Sequence, residues 1–492
     1  MQRRKSLQTG RLSEMKKQLG SVILSAACAA SLLAGCGSKA QTTATSAASS
    51  VATTAGTAST TVAAAGGDTI DVQFWSAPNQ NQFDYWKTKA EAYNSQKHTV
   101  NGKSVQVTVT MIPETTSSEA AIQNALATGS APAASENIND SFMAVLADSN
   151  AIYDIQDEDF YKQIMANKEL DENVESTWEY NGKQYVIPVY INPICLNWNK
   201  KALDALGCDV PKTMDEFRNV IQKYVDNPDK MQELGVQFTT IQSNILKTSD
   251  YWNRNYDFLM IYDALGGGKL YEGKKFSVDA GIAKDAFEFW GQLGNTICLD
   301  EITNIWNADQ VPELFGFGYP WELSSYTDAG KVYDQDYVFG PTIVKKSGDK
   351  PAYYSDSKGI AFYKASNITD DQHSGAVDFI SWVYSKDNCT KSDADWLKAT
   401  SMLPVRGDIN SNDEFSSMLQ QMPALKFLAD AIPNAVPGPV IANSSDAYIA
   451  LGESGLAPYI QKAAGMQPLQ APDATQYVSA GLEAMKAAAG AQ

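Results

Sequence analysis

The alternation of two kinds of segment is the feature of this sequence that most restricts its fold. Segments 69–75 and 105–111 place apolar residues at every second position, as a β-strand with one buried face does. Segments 83–95 and 118–128 instead place apolar residues at helical spacing. Strands that alternate with helices favour an α/β fold with a largely parallel sheet. The sequence contains no repeat with a period of about 20–50 residues, which argues against solenoids and propellers.

The length of the chain predicts more than one folded unit. The chain has 492 residues, of which 44% are hydrophobic and 10% are aromatic, and this is the composition of a folding protein. A single hydrophobic core rarely grows beyond about 250–300 residues, so we expect two lobes.

Charge and histidine content exclude several classes of function. The formal net charge is −18, so the surface would repel a phosphate backbone and we expect no nucleic-acid partner. The only two histidines, His98 and His373, lie far apart in the sequence. This count excludes a histidine-rich zinc site and argues against a histidine-dependent catalytic triad. We predict no metal and no cofactor.

The N-terminal segment 1–35 has the pattern of a secretory signal. Six basic side chains and one acidic side chain precede a run of apolar and small residues that ends at Ala34. This run is too short for a comfortable membrane span. The residues Leu-Ala-Gly before Cys36 resemble a bacterial lipobox, which implies that Cys36 carries lipid and becomes the new N-terminus. An ordinary signal that is cut elsewhere is the alternative, and the start codon could be Met1 or Met15.

Segment 36–67 is predicted to be a flexible tether between lipid and globular body. From Gln41 to Gly67 it has no charged residue and consists almost wholly of Ser, Thr, Ala, Gly and Val. Such a composition offers too little bulk to form a core.

The cysteines of the globular part show no metal-binding spacing. Cys195, Cys208, Cys298 and Cys389 are widely separated, and no CxxC motif is present. Disulfides are permitted outside the cytoplasm, and three full pairings are open.

A family resemblance begins with three consecutive segments. Asn181–Pro188 contains the sequence Gly-Lys-Gln-Tyr, and Leu196–Leu203 and Pro211–Phe217 follow it. Their order resembles the bacterial extracellular solute-binding proteins of ABC importers, in the branch that includes the maltose-binding proteins. Trp198 stands where that family has Tyr, and Met214 stands where it has Trp.

Later segments extend the resemblance over more than 300 residues. Leu259–Phe276 resembles a helix, a glycine pair and a hairpin of the family, and Phe315–Pro341 resembles its GxW loop and the strand that follows. Asp356–Phe362 resembles the return strand through the hinge of the family. Met402–Arg406 resembles a further family element. One departure is Ala133, which follows a family-like turn at a position where Asp is usual.

The resemblance implies two α/β lobes joined by crossing strands, with a ligand in the cleft between them. Hinge closure around the ligand would then be recognised by the subunits of a membrane permease. We assign 68–189 and about 357–398 to an N-terminal lobe, and 190–356 and about 399–492 to a C-terminal lobe. We expect a monomer.

Candidate ligand contacts are residue types that recognise sugars, at positions where the family places its binding loops. Aromatic rings stack on sugar faces, whereas carboxylates, amides and guanidinium groups bond hydroxyl groups. The candidates are Trp75, Asn79, Gln80, Asp140, Tyr190, Asn192, Trp252, Trp321, Asp356 and Arg406.

Six of these candidates also have a purely structural interpretation. Trp75 and Trp252 could belong to the core, and Asp140 could be the N-cap of a helix that starts at Ser141. Asn192 could form hinge hydrogen bonds, Asp356 could cap, and Arg406 could form a surface ion pair. Trp321 is the strongest candidate, because the GxW-like loop points into the cleft in sugar-binding relatives. The four tryptophans assigned to packing alone are Trp86, Trp178, Trp290 and Trp382.

We therefore predict a lipid-anchored, non-enzymatic receptor on the outer face of the cytoplasmic membrane, which delivers a mono- or oligosaccharide to a permease. A secreted carbohydrate-active enzyme is one alternative, because many acids could supply a catalytic carboxylate pair. However, the sequence contains no GxSxG or HExxH motif. A binding protein for a peptide, a polyamine or a metal chelate is the other alternative.

Overall fold

The computed structural model of the protein describes residues 69–115, 117–170, 178–241, 256–272, 275–300, 312–438 and 440–491. The predicted signal, Cys36, the tether and Trp252 lie outside these residues. Across the described ranges, no helix has both the length and the apolar character that a membrane span requires.

The strands of the described residues fall into one large sheet and three smaller ones. Their bounds are β1 Thr69–Ser76, β2 Thr99–Val100, β3 Lys103–Met111, β4 Ala134–Asn139, β5 Val186–Pro193, β6 Cys195–Asn199, β7 Thr240–Ile241, β8 Tyr271–Glu272, β9 Lys275–Phe276, β10 Ile297–Cys298, β11 Phe315–Gly318, β12 Tyr337–Gly340, β13 Tyr353–Phe362 and β14 Ala435–Pro437.

Helices connect and cover these sheets. Their bounds are α1 Gln80–Ser95, α2 Ser118–Thr128, α3 Asp140–Asp148, α4 Asp159–Asn167, α5 Lys200–Leu206, α6 Met214–Asp226, α7 Pro228–Glu233, α8 Tyr256–Ala264, α9 Ala280–Gly291, α10 Leu323–Asp328, α11 Asp370–Val383, α12 Cys389–Thr400, α13 Asp413–Gln420, α14 Pro423–Ala431, α15 Ser444–Leu451, α16 Ala457–Ala463 and α17 Thr475–Ala488.

The large sheet has the order β14-β13-β4-β1-β3-β2, and β5 also pairs with β13. Strand β1 is parallel to β3 and β4, as the alternation of strands and helices predicts. Strand β13 is antiparallel to both β4 and β5, so the sheet is mixed rather than wholly parallel. In β1 the buried residues are Ile70, Val72, Phe74 and Ser76, which is the period of two that the sequence shows.

Helix α11 starts earlier than the sequence pattern indicates. Its apolar periodicity predicts a start near Ser374, but the helix begins at Asp370. Thr369 and Gln372 form a capping box, in which each side chain accepts a hydrogen bond from the backbone of the other residue. This cap extends the helix by one turn beyond its apolar face.

Two hydrophobic cores are connected by β5 and β13. Ile187 of β5 belongs to the core beside the large sheet, whereas Ile194, just after β5, belongs to the larger core around Trp198 and Trp290. Strand β13 passes from the larger core to the core beside the large sheet: Tyr354 packs against the larger core, and Ile360 lies in the core beside the large sheet. These two crossing strands join two α/β lobes, and the exact residue limits of the lobes remain a prediction.

A buried ion network joins the C-terminal end of α4, helix α12 and the segment that follows α12. The ammonium group of Lys168 lies 2.9 Å from Asp393 Oδ1, and both side chains are almost completely buried. Arg406 Nη1 donates to Asp393 Oδ2 at 3.1 Å, and Arg406 Nε donates to Asp408 at 2.7 Å. Two cations and two carboxylates thus satisfy one another directly.

Replacing Asp393 by Asn should reduce the free energy of unfolding by about 3–5 kcal/mol, because Lys168 is then a buried cation without a carboxylate partner. Urea unfolding at pH 7 measures this change. The matched control is Asp430→Asn, which removes the carboxylate of the exposed Lys426–Asp430 pair and should cost less than about 1 kcal/mol. Equal losses in the two variants would contradict the assignment of the network.

Candidate ligand-binding cleft

The exposed face of β13 contributes three polar side chains where the two cores meet. Tyr354, Asp356 and Lys358 alternate with buried residues, so they share one face of the strand and are partly accessible. The sequence predicts Asp356 as a contact, and the structure adds Tyr354 and Lys358 beside it.

Asp140 lies at the N-terminus of α3, directly after β4. The alternative interpretation of Asp140 as an N-cap is wrong by one residue, because Asn139 caps the helix by accepting from the Phe142 N–H at 2.7 Å. Asp140 Oδ1 instead accepts from the N–H of Ser141 at 2.7 Å. Its carboxylate therefore stays available at a helix end that favours negative charge.

The carboxyl group of Asp356 acts on the neighbouring carboxyl group of Asp140. Burial raises the pKa of Asp140 to about 7, and the charge of Asp356 contributes to this increase. Burial also raises the pKa of Asp356, whereas the nearby Lys358 lowers it. Both side chains keep some accessible surface although they lie deep among protein atoms, which is the environment of a group on the floor of a cleft.

Glu136 is a further acid of this region that the sequence analysis misses. It is completely buried on β4, and its Oε1 accepts from the Ala77 N–H at 2.8 Å and from Gln82 Nε2 at 3.1 Å. Burial raises the pKa of Glu136 to about 7, and the Ala77 hydrogen bond and Lys358 oppose this shift. No local signal could have identified it, because residues 131–138 mix small, polar and charged side chains.

Strand β5 places Tyr190 and Asn192 beside the polar face of β13. Asn192 pairs with Asp356, and Tyr190 pairs with Lys358. The Asn192 oxygen accepts from the Leu403 N–H at 3.1 Å, which is the hinge hydrogen bond of the alternative interpretation. Its buried Nδ2 group has no hydrogen-bond partner in the described structure. The buried ring of Tyr190 is stacked on Trp396, with centroids 5.7 Å apart.

Trp321 lies at the boundary between the two lobes. It is half-buried in the short 3-10 helix Pro320–Glu322 and packs against both the core of the large sheet and the larger core. Its ring is stacked on Tyr319 with centroids 4.8 Å apart and planes inclined by 16°. Part of the Trp321 surface stays accessible, as stacking on a ligand would require.

The candidates of the first strand and its loop have local roles as well. Trp75 is half-buried and packs beside a small cluster around Ile138. Asn79 is the N-cap of α1 and accepts from the backbone of Asn81 and Gln82. Gln80 is exposed and donates to Asp84 at 2.8 Å on the same helix. These contacts leave the two polar side chains at the surface next to Ala77.

Arg406 does not lie at the surface as the ion-pair interpretation expects. Its side chain is 1% exposed, and Nε, Nη1 and Nη2 all donate to protein groups. The guanidinium is also packed over the ring of Phe415. The hydrogen-bond donors of Arg406 are therefore taken up by the ion network described above.

The cysteines and acids of the described residues offer no metal centre. The four cysteines are free thiols, and no group of three or more potential ligands in these ranges could hold a metal ion. The site instead consists of carboxylate oxygens, amide groups and aromatic faces, which can accept and donate hydrogen bonds to a polar organic molecule.

Comparison with known proteins decides the family. The model of one protein family matches residues 88–424, which is more than half of the chain. This chain belongs to the family of bacterial extracellular solute-binding proteins. The match confirms the resemblance found in the sequence. No curated protein matches this chain.

Solved structures confirm the two-lobed α/β fold of this solute-binding protein. An uncharacterized protein from Listeria monocytogenes EGD-e is 28% identical with a TM-score of 0.71, over 86% of this chain and 99% of that one. The cyclic alpha-maltosyl-1,6-maltose binding protein from Arthrobacter globiformis is 16% identical with a TM-score of 0.65, over 85% and 98%. The GacH receptor of Streptomyces glaucescens, solved with acarbose, is 18% identical with a TM-score of 0.61, over 85% and 98%. The last two similarities concern the fold alone.

The stability of the protein should depend on the protonation of Asp140. The pKa of Asp140 is higher in the folded state than in the unfolded chain, so the folded state binds more protons between about pH 4 and 7. Stability from this group is present at low pH and is lost as the pH rises towards 7. Between pH 5 and 7.5, the free energy of unfolding should therefore fall by about 1–3 kcal/mol less in Asp140→Asn than in the unchanged protein. A tenfold difference in proton affinity corresponds to about 1.4 kcal/mol.

Urea unfolding at the two pH values measures this difference. Asp371→Asn is the control, because Lys103 and Asn101 lower the pKa of the half-exposed Asp371, which therefore does not titrate in this range. An unchanged pH dependence in Asp140→Asn would contradict the proposed environment of Asp140.

Proposed function

We propose that this chain is the lipid-anchored receptor of an ABC importer, and that its ligand is a mono- or oligosaccharide bound between the lobes. The observation that carries the proposal is Trp321, a half-buried indole that contacts both cores. A ligand that stacks on this ring would contact both lobes and stabilise their closed arrangement.

The chemistry of the cleft supports a sugar. The stacked rings of Tyr319 and Trp321 suit the apolar face of a pyranose, and the carboxyl groups of Asp140 and Asp356 suit its hydroxyl groups. Among solved structures of the same fold, one carries the name of a maltosyl-maltose binding protein and another was solved with acarbose. The family consists of binding proteins, which supports a role without catalysis.

Export and anchoring complete the proposed function. The signal-like segment and Cys36 support attachment to the outer face of the cytoplasmic membrane, and the uncharged tether would let the lobes reach a permease. The outer faces of both lobes would contact the permease, and the receptor would act as a monomer.

Trp321→Ala should weaken the binding of the cognate sugar by about 10- to 100-fold, because the stacking face is lost. A thermal-unfolding screen of residues 68–492 against a sugar panel identifies the ligand, since a ligand that binds only the folded state raises Tm. Calorimetric titration then compares the Kd of the two proteins.

Trp382→Ala is the matched control, because Trp382 is also half-buried but packs against Tyr93 and bonds Gln96. Its Kd should equal that of the unchanged protein. The sugar proposal is contradicted if only amino acids or peptides raise Tm, or if Trp321→Ala binds the sugar normally. Cleavage of any glycan by the pure protein would favour the enzyme alternative.

Replacing Cys36 by Ser should release the protein from the membrane. A single cysteine thiol accepts the lipid in the proposed processing, so the variant should move from the membrane fraction to the medium or periplasm and lose labelling by a radioactive fatty acid. Cys28→Ser is the control and should stay membrane-bound and labelled. Membrane retention of Cys36→Ser would contradict the anchoring.

A further inference from the structure

Strand β4 contains a β-bulge shortly before its end. The register of β4 against β13 shifts there, so that Glu136 and Asn137 lie opposite Ile360 alone. Asn137 has a φ of 70°, in the left-handed region that Asn adopts more readily than most other residues with a side chain. The bulge interrupts the alternation of the strand, because Ser135 and Glu136 are both buried. Its two residues therefore direct their side chains to places that a regular strand would not reach.

The side chain of Glu136 holds the loop that follows β1. Its Oε1 accepts from the Ala77 N–H at 2.8 Å and from Gln82 Nε2 at 3.1 Å. Ala77 is the first residue after β1, Gln82 lies in the first turn of α1, and all three residues are buried. One carboxylate oxygen thus ties both ends of the connection between β1 and α1 to the bulge.

This connection carries two of the candidate ligand contacts. Asn79 and Gln80 are exposed, and the Asn79 side chain caps α1. Because β1 and β4 are parallel, the connection after β1 and Asp140 after β4 leave the same edge of the sheet. Glu136 therefore fixes the place of the connection along the edge that carries Asp140.

The side chain of Asn137 connects the bulge to the polar face of β13. Its Oδ1 accepts from Lys358 Nζ at 2.9 Å, and its Nδ2 donates to Ser118 Oγ at 3.1 Å at the start of α2. Lys358 shares the polar face of β13 with Asp356. The amide of Asn137 thus fixes the ammonium group of Lys358 relative to β4 and α2.

Stability alone does not favour this arrangement. A residue with a side chain costs free energy at a φ of 70°, and burial of a carboxyl group costs more than burial of an apolar side chain of the same size. Both costs occur at adjacent residues, Asn137 and Glu136, beside the candidate contacts. Local costs of this kind are found where a binding site has to be held in one geometry.

We propose that the bulge of Glu136 and Asn137 is a positioning element of the binding cleft. Glu136 sets the connection between β1 and α1, and Asn137 sets the ammonium group of Lys358. The inference rests on the proposed function and adds two residues that act through others. Groups that are fixed before the ligand arrives lose less conformational freedom on binding, so the bulge would strengthen binding.

Hydrogen–deuterium exchange of the purified protein, read by mass spectrometry, tests the role of Glu136. Glu136→Ala removes the acceptor, so residues 76–82 should exchange about 10-fold or more faster, while the other strands of the large sheet keep their rates. Glu136→Gln keeps an acceptor oxygen at the same reach and should exchange within about threefold of the unchanged protein.

Asn137→Gly and Asn137→Val form a matched pair that tests the bulge itself. Both variants remove the amide, but only valine resists a φ of 70°. Residues 76–82 should keep slow exchange in the glycine variant and lose it in the valine variant. Urea unfolding shows which variants are folded, and the Asn137 pair decides the test if Glu136→Ala is unfolded.

Calorimetric titration shows whether the bulge matters for binding. The probes are glucose, maltose, maltotriose and cellobiose, and the sugar that raises Tm most is used for every variant. Glu136→Ala should weaken its binding about 10-fold or more, and Glu136→Gln less than about threefold. Glu216→Ala is the control, because Glu216 also accepts from a backbone N–H, that of Lys212 at 2.8 Å, but on α6. Its Kd should equal that of the unchanged protein.

Four results would overturn the inference. The first is unchanged exchange of residues 76–82 in Glu136→Ala. The second is faster exchange throughout the large sheet, since this is a loss of stability rather than of loop position. The third is a Glu136→Gln variant that behaves like Glu136→Ala, and the fourth is faster local exchange with an unchanged Kd.

Failure of the proposed function has a different signature. If only amino acids or peptides raise Tm, the sugar proposal fails, and the same comparison of Kd values with that solute decides the role of the bulge. If no solute raises Tm, the proposed function fails and the exchange comparison alone decides whether the bulge sets the connection.

Discussion

The antiparallel pairing of β5 with β13 is the constraint on which the rest of the described structure depends. The two strands pair from Ser355 opposite Pro193 to Ala361 opposite Val186, and they pass from one core to the other. All positions of β5 are buried, because β13 lies on one side and the backbone of Leu403 and Val405 bonds the other side. At Gly359 any Cβ atom would lie 2.5 Å from the Ile187 carbonyl oxygen, so glycine permits the close approach at the register shift.

This pairing also organises the cleft. Because side chains alternate along β13, the residues between its buried positions form one polar face at the boundary of the lobes. Asp140 reaches the same region from β4, which pairs with β13 on its other edge. A ligand on this floor would touch the strands that carry the hinge, so binding and closure would be coupled through the same backbone.

The buried acidic side chains of this protein occur in two kinds of environment. Around Asp393, each carboxylate faces a cation at hydrogen-bond distance, and the network joins segments that are distant in sequence. Around Asp140 and Asp263, carboxyl groups are buried without such partners, and burial keeps their pKa values high. A buried carboxylate with a cation partner remains charged, whereas burial without such a partner favours the neutral form and raises the pKa. This difference separates structural acids from candidate ligand contacts better than residue type does.

The sequence by itself determined the α/β class, the first strands and helices, and the family. These features depend on periodicity and on motif order, which are local properties of the chain, and helix α2 matches its predicted bounds of 118–128 for that reason. Tertiary structure decided which polar residues meet. Glu136 has no local signal of function, since it becomes distinctive only through burial beside residues that are distant in the sequence. Arg406 shows the converse, because its sequence context suggests a cleft contact and only the packing of Asp393 and Asp408 around it reveals an ion network.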